Sequence, residues 1–220
     1  MGGNQMTDPI GHYEKLKKNS SLKTNSFNSL MMIKNEYLQK YRTKKFPVDT
    51  YKDYSMKVFK RNAIQPTLLS HGRMWAFNYY PMGLATLPNY DASPLILTLS
   101  IPNKESFLGI NLHLLPPVMR IYAYYSLFPL LNNRNFDQEN TRFRLIYEQL
   151  QKQERYVRLL PCIREYKSIR IRSDIHQIHP KYWDSALFNP TARFIKTNIV
   201  NVWANTTNQI RKRISERETL

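Results

Sequence analysis

The sequence predicts an α+β fold: a small antiparallel β-sheet or partial barrel flanked by N- and C-terminal helices. Three observations carry that prediction. The apolar period changes from helical to strand-like near His71 and back to helical after Pro117. Turn residues punctuate the middle at short intervals: Pro81, Gly83, Pro88-Asn89, Pro102-Asn103 and Pro116-Pro117. The charge is uneven. Residues 71–132 hold 3 basic and 2 acidic side chains, whereas residues 1–70 hold 13 and 5, and residues 133–220 hold 17 and 9. A nearly neutral centre between two cationic flanks reads as a core sheet with surface helices on either side.

Residues 1–25 read as a flexible basic arm. From Ser26, a plausible N-cap, Phe27, Leu30, Met31, Tyr37, Leu38 and Tyr41 repeat at helical spacing until Phe46-Pro47 stops them. A second short helix fits residues 50–62, with Tyr51, Tyr54, Val58 and Phe59 on one face and Lys52, Lys57, Lys60 and Arg61 on the other. "RMWAFNYY" and "PLILTLSI" read as strands. So does "FLGINLH", residues 107–113, which Pro116-Pro117 separate from a mostly buried helix, "VMRIYAYYSLFPLL". One helical face continues through Phe143, Ile146, Tyr147, Leu150, Val157 and Leu160. "SIRIRSDI" alternates Ile169 and Ile171 with Arg170 and Arg172, the pattern of a strand with one core face and one basic face. A short segment anchored by Trp183 and Phe188 precedes a last helix that Asn189-Pro190 open, running through Phe194, Ile195, Ile199, Val202 and Trp203. The expected organisation is one α+β domain over 26–205, with its β core at about 71–117 and 166–178, and a charged tail over 206–220 whose stretch "IRKRISERETL" is expected to fray.

The strand "FLGINLH" carries polar and small residues where valine and isoleucine would be ordinary. A glycine inside a strand marks a bulge or a close backbone approach. Gly109, Asn111 and His113 share one face if the strand is regular. A buried Asn and His must find partners, and Tyr90 and Asp91 are the candidates.

Catalytic constellations are scarce. There is no phosphate-binding glycine loop, no H-E-x-x-H and no pair of cysteines. The lone Cys162 sits among Leu159, Leu160 and Ile163 and reads as a buried structural thiol. His176 and His179, three apart with Asp174 nearby, lack a third ligand. An Mg²⁺ nuclease wants two carboxylates and a lysine converging on one metal, and the middle segment offers only Asp91 and Glu105. A His113–Asp91 pair reads as a hydrogen-bonded strut rather than a catalytic one. No enzyme activity, metal or cofactor is expected. The first 30 residues are polar, without the apolar run of a secretory leader, and Met6 stands where a myristoylation motif needs Ser or Thr. The most apolar run, 118–131, is too short and interrupted to span a bilayer, so no membrane partner is expected.

A formal net charge of +17 points to a polyanionic neighbour. Basic side chains are interleaved with aromatics in "LQKYRTKKF" and "YKDYSMKVFKR". The expected DNA contacts are Lys44, Lys45, Lys57, Lys60 and Arg61, then Arg142, Arg144, Lys152, Arg155 and Arg158, then Arg170 and Arg172. Lysine and arginine would meet phosphates while tyrosines stack on an exposed base or terminal pair. No base-reading motif appears, so contact independent of sequence is expected. The competing reading is a basic surface that docks an acidic protein.

Three pieces in order resemble the DNA end protector family of T-even-like tailed phages. Leu87-Pro88-Asn89-Tyr90-Asp91 with Pro94-Leu95 is similar to the family's "LPYYD…PL". Residues 107–113 with Leu115-Pro116-Pro117 and Arg120 resemble its "GF-GINLHYLPP…R" signature. Trp183-Asp184-Ser185-Ala186-Leu187-Phe188, with Pro190 and Phe194, resembles its C-terminal "WD-A-F-P…F" block. Leu114 stands where the family carries tyrosine. The resemblance implies a virion protein, made in the host cytoplasm, that binds double-stranded DNA termini near the portal and neck and shields them from host exonuclease. A head–tail neck, connector or baseplate component docking acidic virion proteins is the alternative. On either account Tyr90, Asp91, Gly109, Asn111, His113, Pro116, Pro117, Trp183 and Asp184 form the structural signature.

Overall fold

A computed structural model of the chain describes residues 16, 18, 31–32, 35–36, 39, 72–100, 105–131, 156, 158–178, 182–188 and 191–218. The strands are β1 (Met74–Ala76), β2 (Tyr90–Asp91), β3 (Leu95–Ser100), β4 (Ser106–Asn111), β5 (Ile163–Lys167), β6 (His176–Ile178) and β7 (Phe194–Ile195). Three α-helices accompany them: α1 (Pro117–Leu131), α2 (Trp183–Phe188) and α3 (Ile199–Glu218). Five strands form one antiparallel sheet in the order β5-β4-β3-β1-β6. A separate two-stranded sheet joins β2 to β7. The larger sheet does not close into a barrel, so of the two forms expected the open sheet is the one formed.

Both faces of the larger sheet are buried, which explains the unbroken apolar run in β3. Leu95, Leu97 and Leu99 join Met74, Ala76 and Ile110 against Ile121 of α1, Trp183 and Phe188 of α2, and Val202 and Ile210 of α3. The alternate residues Trp75, Ile96 and Phe107 face the other way, with Phe77, Tyr79, Tyr166 and Ile175. That second face is an aromatic cluster. Phe107 stacks on Tyr166 at 5.4 Å, and Phe77 and Tyr79 meet Tyr166 edge-on at 5.6 and 5.0 Å. Met31, in a helical stretch as expected, is half-buried and packs against the leucine face. Cys162 is buried as expected, and its burial pushes the thiol up to about 12, leaving it protonated.

Gly109 lies in β4 opposite Thr98, beside an irregularity in β3 between Thr98 and Ser100. A Cβ there would stand 3.1 Å from Ile96 Cδ1 and 3.3 Å from Ile96 Cβ. The glycine lets a fully buried isoleucine lie flat across the neighbouring strand.

Several local expectations are corrected. Residues 168–172 do not form a strand. Ser168–Arg170 are a 3₁₀ turn, Ile169 is 80% exposed, and Ile171 makes an isolated bridge to Tyr79. The strand lies just before, in β5, where Tyr166 supplies the inward residue. His113 is not in a strand either. It sits in a 3₁₀ turn, Leu112–Leu114, because the Asn111 side chain accepts the His113 N–H and ends β4. Phe194 and Ile195 are strand β7 rather than helix; β2 pairs with them, and Lys196 at φ 70 breaks the strand before α3. The last helix therefore starts at Ile199, with Asn198 accepting the Asn201 N–H at its N-terminus. It runs to Glu218, through most of the tail expected to fray. Thr206 and Ile210 are buried, and Ile214 continues their i, i+4 stripe onto the core. Leu16 and Lys18 are helical, and Leu16 packs on the core, within the stretch expected to be an arm. The expected helix at 50–62 lies outside the described residues.

Candidate nucleic-acid interface and the polar hub behind it

Asp91 is the centre of the polar interior. Its Oδ2 accepts from Asn111 Nδ2 at 3.2 Å and from His113 Nδ1 at 2.8 Å. Its Oδ1 accepts the backbone N–H groups of Ser93 at 3.0 Å and Arg193 at 3.1 Å. One carboxylate thus ties β2, the end of β4, the 3₁₀ turn and the start of β7. On the other side of the turn, the His113 carbonyl accepts from Trp203 Nε1 of α3 at 3.0 Å and from Arg120 of α1 at 3.4 Å. The buried Arg120 guanidinium also donates to the carbonyls of Leu115 at 2.8 Å and Leu187 at 2.9 Å, and it lies over the Trp203 ring.

Electrostatics follow from these bonds. Burial pushes the Asp91 carboxyl up, but the His113 ring and the two backbone N–H groups more than reverse it, so Asp91 stays ionised below the ordinary carboxylate range. Burial lowers His113 despite the Asp91 charge opposing it, and Arg120 adds to the lowering. His113 is therefore neutral, with Nδ1–H donating to Asp91. Its Nε2 is left to accept from Thr191 Oγ1, 3.3 Å away. Burial and the Asp91 charge raise the Tyr166 hydroxyl well above its usual value.

Asp91, His113 and Thr191 stand in the order carboxylate, imidazole, hydroxyl of a nucleophilic triad. The hydroxyl, however, faces the interior: His113 is fully buried and Thr191 is 3% exposed. Here the arrangement is a strut that holds three chain segments together. Asp174 is exposed and His176 is buried in β6, and His179 lies outside the described residues. Among the described residues no group of three or more His, Cys, Asp or Glu could hold a metal. No described helix is long and apolar enough to cross a membrane.

The other expected signature residues frame this hub. Pro117 opens α1, with Pro116 O accepting the Arg120 N–H at 3.1 Å. Trp183 Nε1 donates to Ile178 O of β6 at 2.8 Å, and Asp184 accepts the Ser185 N–H at 2.9 Å. Tyr90 is half-buried opposite Ile195 and takes no part in the hub. Sequence reasoning missed Arg120 as a structural charge, along with Thr191, Tyr166 and Trp203. A lone arginine in an otherwise apolar helix was the signal available for the first.

The cations divide into two sets. Arg120, Arg164 and Lys196 are committed to backbone carbonyls: Arg164 to Pro161 and Ile163, Lys196 to Leu84, Ala85 and Leu87. Lys167 pairs with Glu165 at 2.8 Å. By contrast, the guanidinium groups of Arg158, Arg170, Arg172 and Arg193 make no ion pair or hydrogen bond among the described residues. Arg158, Arg172 and Arg193 are exposed and Arg170 is half-buried. Of the expected DNA contacts, Lys44, Lys45, Lys57, Lys60, Arg61, Arg142, Arg144, Lys152 and Arg155 lie outside the described residues.

Backbone hydrogen bonds bring three of these free arginines onto one irregular strip. Arg172 N donates to Asn78 O at 2.8 Å and Tyr80 N to Arg170 O at 3.0 Å. Tyr79 N donates to Ala92 O at 2.9 Å, and Ala92 N to Arg193 O at 2.7 Å. Tyr79 and Ile171 turn inward onto the aromatic cluster, so their neighbours Tyr80, Arg170 and Arg172 turn outward.

An α+β frame braced by a saturated polar hub, with cations on its outer surface that have no partner among the described residues, defines a scaffold that presents positive charge. The chain belongs to the phage T4 terminal DNA protecting protein family, whose profile matches residues 6–206. Comparison with curated protein sequences and with solved structures returned no match.

Proposed function

We propose that the protein binds the ends of the packaged double-stranded DNA genome in the phage particle and shields them from host exonuclease, without catalysis. The observation that carries this reading is the division of charge. The polar groups that resemble a catalytic set are used up inside the frame, while outward arginines have no protein partner among the described residues. End protection needs a stable plug and phosphate contacts rather than chemistry. Membership of a terminal DNA protecting family supports the same reading. The protein then rides in the virion at a DNA terminus, beside portal or neck proteins.

The test compares a blunt linear duplex with a covalently closed circle of equal length, at two salt concentrations, with and without a processive exonuclease. Preferential binding of the linear form, protection from digestion, and a steep loss of affinity with salt are expected. Weak binding that ignores the ends would overturn the reading in favour of a neck or connector protein that docks acidic neighbours. Mg²⁺-dependent loss of either DNA would overturn the non-catalytic part.

A further inference from the structure

We infer that the outward strip at Tyr80, Ile169, Arg170, Arg172 and Arg193 is the cap that sits on the terminal base pair. This rests on the end-binding reading above and assigns it a surface.

The strip combines two features that are seldom useful together. Its centre is apolar: Tyr80 is 46% exposed and Ile169 80% exposed, and the Tyr80 N–H bonds the carbonyl of Arg170, the residue after Ile169. Single exposed apolar residues are ordinary, but here two large ones lie within one residue of the same backbone rung. Its periphery is cationic. Arg170 and Arg172 are two residues apart on one edge, about 7 Å along an extended chain. Arg193 lies beyond Ala92 on the far side, two inter-strand spacings from the Tyr79 backbone, or about 10 Å. Asp174 is the exposed acid closest in sequence, and none of these three guanidiniums is paired with it.

The flank of a duplex offers a charged backbone and polar groove edges, with nothing for an exposed ring and isoleucine to cover. A terminus offers the opposite arrangement: a flat apolar base-pair face ringed by phosphates. An apolar centre with a cationic rim is the complement of that end. The hub behind gives the strip its rigidity, because Asp91 holds the Arg193 backbone directly and Ser93, bonded to Asn78, from the other side.

Three variants test the assignment: Tyr80→Ala with Ile169→Ser; Arg170→Gln with Arg172→Gln and Arg193→Gln; and, as a control, Arg211→Gln with Lys212→Gln and Arg213→Gln in the last turns of α3. Affinity for the blunt linear duplex and the closed circle is measured at 50 and 200 mM salt. Thermal melting confirms that each variant is folded. The apolar pair should weaken linear binding by roughly 10- to 100-fold through lost stacking and leave the circle and the salt slope alone. The arginine triple should weaken both substrates and flatten the salt slope by roughly 2.7, about 0.9 for each phosphate no longer neutralised. The α3 control should keep the linear-to-circle ratio of the wild type. A 2-aminopurine at the terminal pair should change its fluorescence on binding wild type and not on binding the apolar pair variant. Wild-type behaviour in both strip variants, with end preference intact, overturns the cap and leaves end binding standing. Equal wild-type affinity for linear and circular DNA removes end binding itself, and the cap with it.

Discussion

The hub around Asp91 and the strip around Tyr80 are two sides of the same few backbone rungs. Asp91 points in and Ala92 does not; Tyr79 points in and Tyr80 out; Ile171 points in and Arg172 out. Inside, the Asp91 carboxylate has a partner on both oxygens. Outside, three arginines have none among the described residues. The difference separates two meanings of a polar residue. Those with partners hold the fold, and their loss should register as instability. Those without partners wait for something else, and their loss should register in binding alone.

The largest expected effect is therefore at Asp91. Asp91→Ala strands the buried Asn111 amide, His113 ring N–H and Ser93 N–H, and takes the acceptor from the part-buried Arg193 N–H. We expect a loss of roughly 3–5 kcal/mol, a large part of a typical domain's stability. Urea or thermal unfolding measures it. A loss under about 1 kcal/mol would erase the contrast between inside and outside.

Acid should attack the same hub in two stages. The neutral His113 ring is the folded form, with its pKa lowered from 6.5, so its contribution is complete above that value. It falls as the pH drops below 6.5, because the unfolded chain takes up the proton first. Asp91 is lowered from 3.8, so its contribution is present above that value and is lost as the pH falls through the lowered one. Unfolding midpoints from pH 8 to pH 3 should show both declines. In His113→Gln the upper one should vanish, and its persistence would assign it elsewhere.

How much of this was legible in the sequence depended on whether the signal was local. The stretch "FLGINLHLLPP" announced that Asn111 and His113 needed a buried partner, and Asp91 is that partner, because the demand for satisfaction follows from residue type and strand pattern alone. The alternation Ile169-Arg170-Ile171-Arg172 misled, since period two cannot tell a strand from a 3₁₀ turn followed by a single bridge. Ile169 is outside because the turn rotates it there, a tertiary outcome. Phe194 and Ile195 misled in the same way: their strand exists because β2 lies beside it, more than 100 residues earlier. The α3 stripe Val202, Thr206, Ile210, Ile214 was present in the sequence, but the dense charge after Ile210 masked it. Arg193, Tyr80 and Ile169 could not have been grouped by reading, because only the backbone rungs across four segments assemble them.

A smaller structural effect is expected at Gly109. In Gly109→Ala the new methyl meets Ile96 Cδ1 at 3.1 Å, which can swing aside, and Ile96 Cβ at 3.3 Å, which cannot. Overpacking of this kind costs roughly 1–3 kcal/mol. Adding Ile96→Val removes Cδ1 and should return part of that loss, so the two changes should couple in a double-mutant cycle. Full additivity would mean that the glycine serves the strand for another reason.

The smallest expected effect on stability is the most informative for the comparison. Replacing Arg170, Arg172 and Arg193 by glutamine removes no hydrogen bond or ion pair among the described residues. Surface changes away from such features usually stay within about 0.5 kcal/mol. Removing three like charges from one strip should, if anything, relieve repulsion, so the melting temperature should hold or rise slightly at low salt and be unchanged at high salt. Arg120→Gln is the internal counterpart. It removes the same charge but takes the guanidinium from the Leu115 and Leu187 carbonyls in the core, leaving the His113 carbonyl to Trp203, and should melt far lower. If the surface triple melted as low as the Arg120 variant, the outward arginines would be holding the fold too, and the line between frame and interface would have to be redrawn.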